Sequence, residues 1–307
     1  MTLDEYRGRH ARYRSDADLQ ANHAAHPWIV TFDDHEVDNN WASTVPQDPN
    51  LQTPEAFLAR RTAAFKAYWE HMPLHPRLRP TGTSIRVYRR FAWADLLQLD
   101  VLDTRQFRSD QPTDLASANN PAATMMGAEQ EAWLHKGLKR SRARWNVVAQ
   151  QTMVAQNDRT AGRTETFDFD NWDGYRPARQ RLLADLAQVE NPVVVTGDRH
   201  ATWICDLKQD FYDPSSETIA AELTGTSISS GGDGNRTSFH TTYDPIKVDS
   251  PHWKFIDNGR GYLLCDVDRH RMLTDLRNVS TVRSPSATVA TYARFVTEAG
   301  RRGVEVA

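Results

Sequence analysis

Trp28-Ile-Val-Thr-Phe-Asp-Asp-His-Glu-Val-Asp-Asn-Asn40 runs from an apolar start into four carboxylates, an imidazole and two amides. Trp28–Phe32 reads as a strand, separated from the preceding helical pattern by Pro27. A strand that delivers hard oxygen and nitrogen donors onto a loop offers metal binding and acid–base chemistry on a rigid support. A second strand ends in the same way. Pro192-Val-Val-Val-Thr196 leads into Gly197-Asp198-Arg199-His200. Sites in α/β sheets collect at the carboxyl ends of strands, so two such ends make a metal-dependent hydrolase the first expectation.

Outward from these stretches, helical and extended patterns alternate. Residues 3–25 read as one helix. A second helix, 56–71, has Thr53 as cap and Pro54 in its first turn. Segments 85–91 and 96–102 read as paired strands, 109–126 as a Pro/Asn/Ser-rich loop, 127–139 as a helix and 145–151 as a strand. A helix over 177–189 and a strand over 193–196 follow. Strands are then expected at 202–207, 222–229, 261–266 and 272–276. There is no repeat and no composition break. The pattern predicts α/β class and a single domain over residues 1–307, built on a mixed, layered sheet.

Composition narrows the function. With 39% hydrophobic and 25% charged residues the chain matches ordinary globular proteins. Its 37 basic and 40 acidic residues give a net charge of −3, which argues against a nucleic-acid-binding module. The two cysteines, Cys205 and Cys265, form no disulfide framework and read as buried structural thiols. No apolar run approaches the roughly 20 residues needed to cross a membrane. The charged start Thr2-Leu-Asp-Glu-Tyr-Arg7 is unlike a signal peptide, so the chain as written reads as cytoplasmic.

Each candidate residue has two readings. Asp34 and His35, adjacent in the chain, must point apart. Asp34 is expected as a metal ligand and His35 as a proton donor or anion stabiliser beside it, or the loop is a set of Asx turns. Asp198 and His200, read as an i, i+2 pair in extended chain, project from one face and can reach one ion. Gly197 is expected to provide the sharp turn. The other reading is a salt bridge with a partly buried histidine. In Leu102-Asp-Thr-Arg-Gln-Phe-Arg108, Arg105 can hold a phosphate oxygen or pair with Asp103. Asn171-Trp-Asp-Gly-Tyr175 can rim a pocket or form a packed turn. Ser229-Ser-Gly-Gly232 reads as a flexible turn more readily than as an anion site. No nucleophile elbow is present.

Taken together and in this order, the motifs resemble the PhoD-like alkaline phosphatase/phosphodiesterase family. The matching stretches are Pro27–Asn40, Leu102–Arg108, Trp145–Gln151, Trp172–Tyr175, Val195–His200, Gly225–Gly232 and Arg260–Tyr262. The resemblance implies a layered α/β-β/α sandwich of the calcineurin-like metallophosphoesterase type. It implies hydrolysis of phosphate monoesters and diesters with Ca2+ and Fe3+, by in-line attack of a metal-bound hydroxide. Asp34, Asp198 and His200 would be metal ligands, His35 would assist the leaving group, and Arg105 would bind substrate. Family members carry, ahead of the segment matching Thr2-Leu-Asp4, a cysteine-bearing strand end and a Gly-Asp-x-x-Tyr loop that hold the iron. The resemblance therefore describes this chain as N-terminally truncated, without most iron ligands and without the N-terminal β domain. The alternative reading is an inactive remnant, a binding module, or one half of a split enzyme that docks with a separate N-terminal half. Family members suggest a secreted or periplasmic protein.

Overall fold

In the computed structural model all 307 residues, Met1–Ala307, are described. The chain forms two compact units: residues 1–88 with 103–110, and residues 89–102 with 111–307.

The first unit is helical. The expected helix over 3–25 is two helices, α1 (Leu3–Arg14) and α2 (Ala17–Ala25). Asp16 divides them because its carboxylate caps α2, accepting from Leu19 N–H at 2.8 Å. Helix α3 (Pro54–His71) starts where expected, with the Thr53 hydroxyl accepting from Ala56 N–H at 3.3 Å. Arg7 grips Glu70 of α3 through Nε at 2.7 Å and Nη2 at 2.8 Å. The rings of His10 and His71 stack at 4.9 Å between α1 and α3. Phe32, Trp41, Phe57, Phe65 and Tyr68 fill the core between α3 and the loops.

Trp28–Phe32 is extended but belongs to neither sheet, against the expectation of a strand. Side-chain packing fixes it in this unit: Phe32 lies 5.0 Å from Phe65 and 5.9 Å from Tyr68, both on α3. An apolar run before a polar loop signals burial, and burial against a helix leaves the same signature as burial in a sheet.

The second unit is layered. A seven-stranded sheet has the order β1-β2-β3-β4-β6-β5-β7. Its strands are β1 (Arg89–Trp93), β2 (Leu97–Val101), β3 (Trp145–Ala149), β4 (Pro192–Thr196), β5 (Thr202–Lys208), β6 (Thr218–Thr224) and β7 (Trp253–Asp257). The run β2-β3-β4-β6 is parallel, and β1, β5 and β7 are antiparallel to their neighbours. Between β1 and β3 lie the four-residue helix α4 (Leu115–Ala118) and α5 (Gly127–Arg140). Helix α6 (Arg176–Leu186) leads to β4. Leu134 and Leu138 of α5 and Leu182, Leu183 and Leu186 of α6 share a core with Val148 and Val194 of the sheet.

The opposite face of that sheet meets a four-stranded antiparallel sheet, β11-β10-β9-β8, made of β8 (Gly261–Val267), β9 (Arg271–Val279), β10 (Val289–Glu298) and β11 (Glu305–Val306). Val147, Val193, Ile204, Ala221 and Leu223 pack there on Met272, Leu276 and Phe295. This mixed α/β layering agrees with the class read from the sequence. The strand expected at 222–229 stands instead at Thr218–Thr224, and helix α7 (Arg236–Asp249) was not anticipated because Pro245 lies inside it. Cys205 is buried as expected. Cys265 is exposed, because β8 is an edge strand.

His252, just before β7, is buried with its Nε2 2.7 Å from the Gln156 carbonyl. Burial pulls its pKa from 6.5 down to about 4. The unfolded chain therefore takes up a proton that the native state refuses, and stability falls as pH drops from 6.5 towards 4. The expected loss from this one group is on the order of 3 kcal/mol. Urea unfolding across that range should show a steeper acid slope for the wild type than for His252→Gln; parallel slopes would refute the assignment.

Candidate functional site

In the first unit the Asp33-Asp34-His35-Glu36 stretch is a tight turn, with the Asp34 carbonyl accepting from Val37 N–H at 2.8 Å and Asp38 N–H at 2.9 Å. The Asp34 carboxylate is buried. Its Oδ1 accepts from His35 N–H and its Oδ2 from Asn40 N–H, each at 2.8 Å. Asn40 itself adopts a left-handed φ of 49°. One bond to each oxygen fixes the group and leaves further lone pairs for a cation. The Asx-turn reading and the ligand reading are thus compatible: the turn is what orients the carboxylate.

His35 is exposed, with Nε2 3.9 Å from Asp34 Oδ2, too far for a hydrogen bond. The two side chains diverge, as their adjacency requires. Asp33 is paired with Arg105, whose Nε donates to Asp33 Oδ1 at 2.6 Å. Arg105 is fully buried, and its Nη2 stands 3.9 Å from Asp34 Oδ1. Asp103 accepts backbone N–H groups from Arg105 at 3.0 Å and Gln106 at 2.8 Å, and so shapes the turn that presents Arg105. Burial raises the Glu36 pKa, opposed by the hydrogen bond its Oε2 accepts from Asp33 N–H at 2.7 Å. Asp33 and Glu36 were not singled out in the sequence, although both belong to the opening stretch.

In the second unit the loop after β4 departs from the extended pairing inferred for Asp198 and His200. Both are left-handed, with φ of 65° and 51°. Gly197 needs no such conformation, and a Cβ on it would meet only the Gln151 carbonyl at 3.9 Å. The sharp turn is thus carried by the two candidate ligands themselves. Such backbone costs about 1 kcal/mol or more per non-glycine residue and persists only where surrounding structure imposes it. His200 is exposed, and Asp198 is half-buried.

The start of this loop is fastened by a buried polar network. Glu222, in the middle of β6, accepts from Val154 N–H at 2.8 Å, Ala155 N–H at 2.7 Å and the Thr196 hydroxyl at 2.7 Å. Gln150 Nε2 donates to the same Thr196 hydroxyl at 2.8 Å. Gly197 N–H donates to the Gln151 carbonyl at 3.1 Å, and Gly225 N–H to the Thr196 carbonyl at 2.9 Å. The ends of β3, β4 and β6 are therefore locked together directly before Asp198. Arg199 points elsewhere, towards Asn157 Oδ1 at 3.0 Å.

Trp172–Tyr175 is the packed turn, not a rim. All four residues are buried, Trp172 Nε1 donates to Gln150 Oε1 at 3.1 Å, and Asp173 binds Arg179 at 2.5 Å. Ser229–Gly232 closes a turn through Gly232 N–H to the Ser229 carbonyl at 3.3 Å, with Gly231 and Gly232 at φ of 77° and 71°.

The donor chemistry fits a metal centre. Anchored carboxylates suit hard cations, and an exposed imidazole suits a transition ion.

Residues 1–276 match the family described as PhoD-like phosphatase. The chain is 43% identical over 314 aligned positions to a protein named alkaline phosphatase D from Bacillus subtilis (strain 168), covering 99% of this chain and 53% of that relative. A solved structure titled "Structure of PhoD" superposes with a TM-score of 0.93 at 41% identity, over 99% of this chain and 59% of that one. The chain thus spans about half the length of the curated relative it matches. No helix is long and apolar enough to cross a membrane.

Replacing His200 by glycine removes the left-handed strain. His200→Gly is expected to raise the stability to urea by about 0.5–1 kcal/mol. An unchanged or lowered midpoint would show that the loop imposes no backbone cost.

Proposed function

Because the chain belongs to the PhoD-like phosphatase family, we propose that this protein is a metal-dependent hydrolase of phosphate monoesters and diesters. The single observation that supports this most is the Asp34 carboxylate, buried yet held open by two backbone N–H groups within a tight turn, in a chain 43% identical to an alkaline phosphatase D. We assign Asp34, Asp198 and His200 as metal ligands, with Asp33 adding to the acidic group. We assign both units to one catalytic domain, a reading supported by a family match that runs through both. Calcium and iron are the cations we propose, on the family resemblance.

Bound cations would supply Lewis acidity and make water a better nucleophile at neutral pH. The rest falls to the chain. His35, exposed and tied only through its backbone, is free to hold a proton on Nε2 for the departing alkoxide. Arg105 carries its charge directly behind the acidic turn. Held by Asp33 and wholly covered, it is assigned to substrate through its field on the phosphate oxygens and through its grip on the turn. The Gln150–Thr196–Glu222 network holds the second ligand loop in register.

The test is hydrolysis of 4-nitrophenyl phosphate, bis(4-nitrophenyl) phosphate and an alkyl phosphate ester with calcium and iron present. Asp34→Ala and His200→Ala are expected to lower turnover at least about a hundredfold. Wild-type-like rates in both would refute the ligand assignment. A proton donor matters most when the leaving group is basic. His35→Asn should therefore depress alkyl ester cleavage about 10²–10⁴-fold and nitrophenyl ester cleavage much less. Equal losses on both substrates would remove His35 from the acid role.

A further inference from the structure

The loop bearing Asp198 and His200 is gripped at its far end by one buried guanidinium. Arg260, in the turn between β7 and β8, donates from Nη1 to the His200 carbonyl at 2.9 Å and to the Asn258 carbonyl at 2.6 Å. Its Nε donates to the Gly232 carbonyl at 2.7 Å. Three carbonyls from three separate loops thus converge on one planar fork, which an ammonium cannot reproduce from a single point. No carboxylate claims this cation. Asp257, the buried acid nearby, is held bidentately by Arg236 at 2.6 and 3.1 Å, and Asp233 accepts from Val282 N–H at 2.6 Å and from the Thr281 hydroxyl at 2.9 Å.

Space is reserved for the fork as well. Gly231 is left-handed, and a Cβ on it would stand 3.2 Å from Arg260 Nη2. A cation buried to serve backbone carbonyls is an expensive way to close a turn. Its contact with a left-handed, non-glycine residue gives it a purpose. With the His200 carbonyl pinned, the peptide plane that sets the direction of the imidazole is fixed.

We propose that Arg260 is a positioning residue, which clamps the His200 carbonyl so that the left-handed turn holds and the imidazole is aimed for metal binding. The proposal rests on the reading of His200 as a ligand. Arg260 acts through His200 and touches neither metal nor ester.

The experiment titrates Co2+ into the full chain and follows the visible d–d bands, which report ligand geometry as well as affinity. Wild type, His200→Ala, Arg260→Ala and Arg260→Lys are compared, with Leu186→Ala as a destabilised control remote from the loop. His200→Ala is expected to weaken Co2+ binding strongly. Arg260→Ala should weaken it about 10–100-fold and alter the bands, with Arg260→Lys in between and Leu186→Ala like wild type in both readouts. Should Arg260→Ala not fold, Arg260→Lys carries the test, with weakened binding and altered bands expected. Unchanged Co2+ binding in His200→Ala overturns the ligand reading and the positioning role with it. Weakened binding in His200→Ala combined with wild-type affinity and bands in a folded Arg260 variant overturns the positioning role alone.

Discussion

Glu222 is a carboxylate in the interior of a mixed sheet, and the rest of the second unit is arranged so that it can exist there. Burial pushes its pKa up, while the Val154 and Ala155 N–H groups and the Thr196 hydroxyl favour its charged form. Removing one partner from such a group costs about 1–3 kcal/mol or more, so the surrounding backbone has little freedom. Its neighbours in β6, Ala221 and Leu223, face the four-stranded sheet. A slip of one residue would turn Glu222 into that apolar layer. The pairings Val194 with Glu222 and Thr196 with Thr224 are thereby specified by chemistry as well as by shape. Because Thr196 immediately precedes Gly197 and Asp198, the constraint that fixes the sheet register also fixes where the Asp198–His200 loop begins.

The Asp34 loop and the Asp198–His200 loop are held in shape by different means. Around Asp34 the backbone folds to serve the side chain, spending two N–H groups on the carboxylate. Around His200 the side chains fold to serve the backbone, with Arg260 and the Glu222 network imposing a conformation that the chain would not choose alone. The first loop stays ordered through its own hydrogen bonds. The second depends on residues far away in sequence.

That difference explains what could be read in advance. The class, the alternation of helix and strand, and the position of α3 follow from local periodicity and capping, and these were legible. Asp34, His35, Asp198 and His200 stood out because polar residues crowd the ends of apolar runs. The division at Asp16 was a capping signal of the same kind, hidden because the apolar spacing continues across it. Residues 28–32 read as a strand because an apolar run does not reveal what it packs against. The left-handed φ values of Asp198 and His200 leave only a weak mark in residue type, Asp and His being enriched there, while glycine, the stronger signal, stands one position earlier at Gly197. Arg260 and Glu222 were illegible for another reason. A lone arginine in a turn and a lone glutamate in an apolar strand acquire meaning from partners as far as 60 and 68 positions away.

The first unit is interrupted in sequence between Tyr88 and Asp103, and the intervening residues form the hairpin β1–β2. Its register sets Arg89 opposite Val101, so the chain leaves the unit and returns to it at nearly the same point. Arg105 and Arg108, the residues that reach Asp33 and the carbonyls of Asn40 and Trp41, arrive only after the hairpin is made. A local, quickly formed hairpin thus shortens the effective loop that these contacts must close. During synthesis the acidic turn emerges long before the arginines that steady it. In the nascent chain, the pairing of Asp33 with Arg105 waits on a hairpin that contributes no atom to the turn.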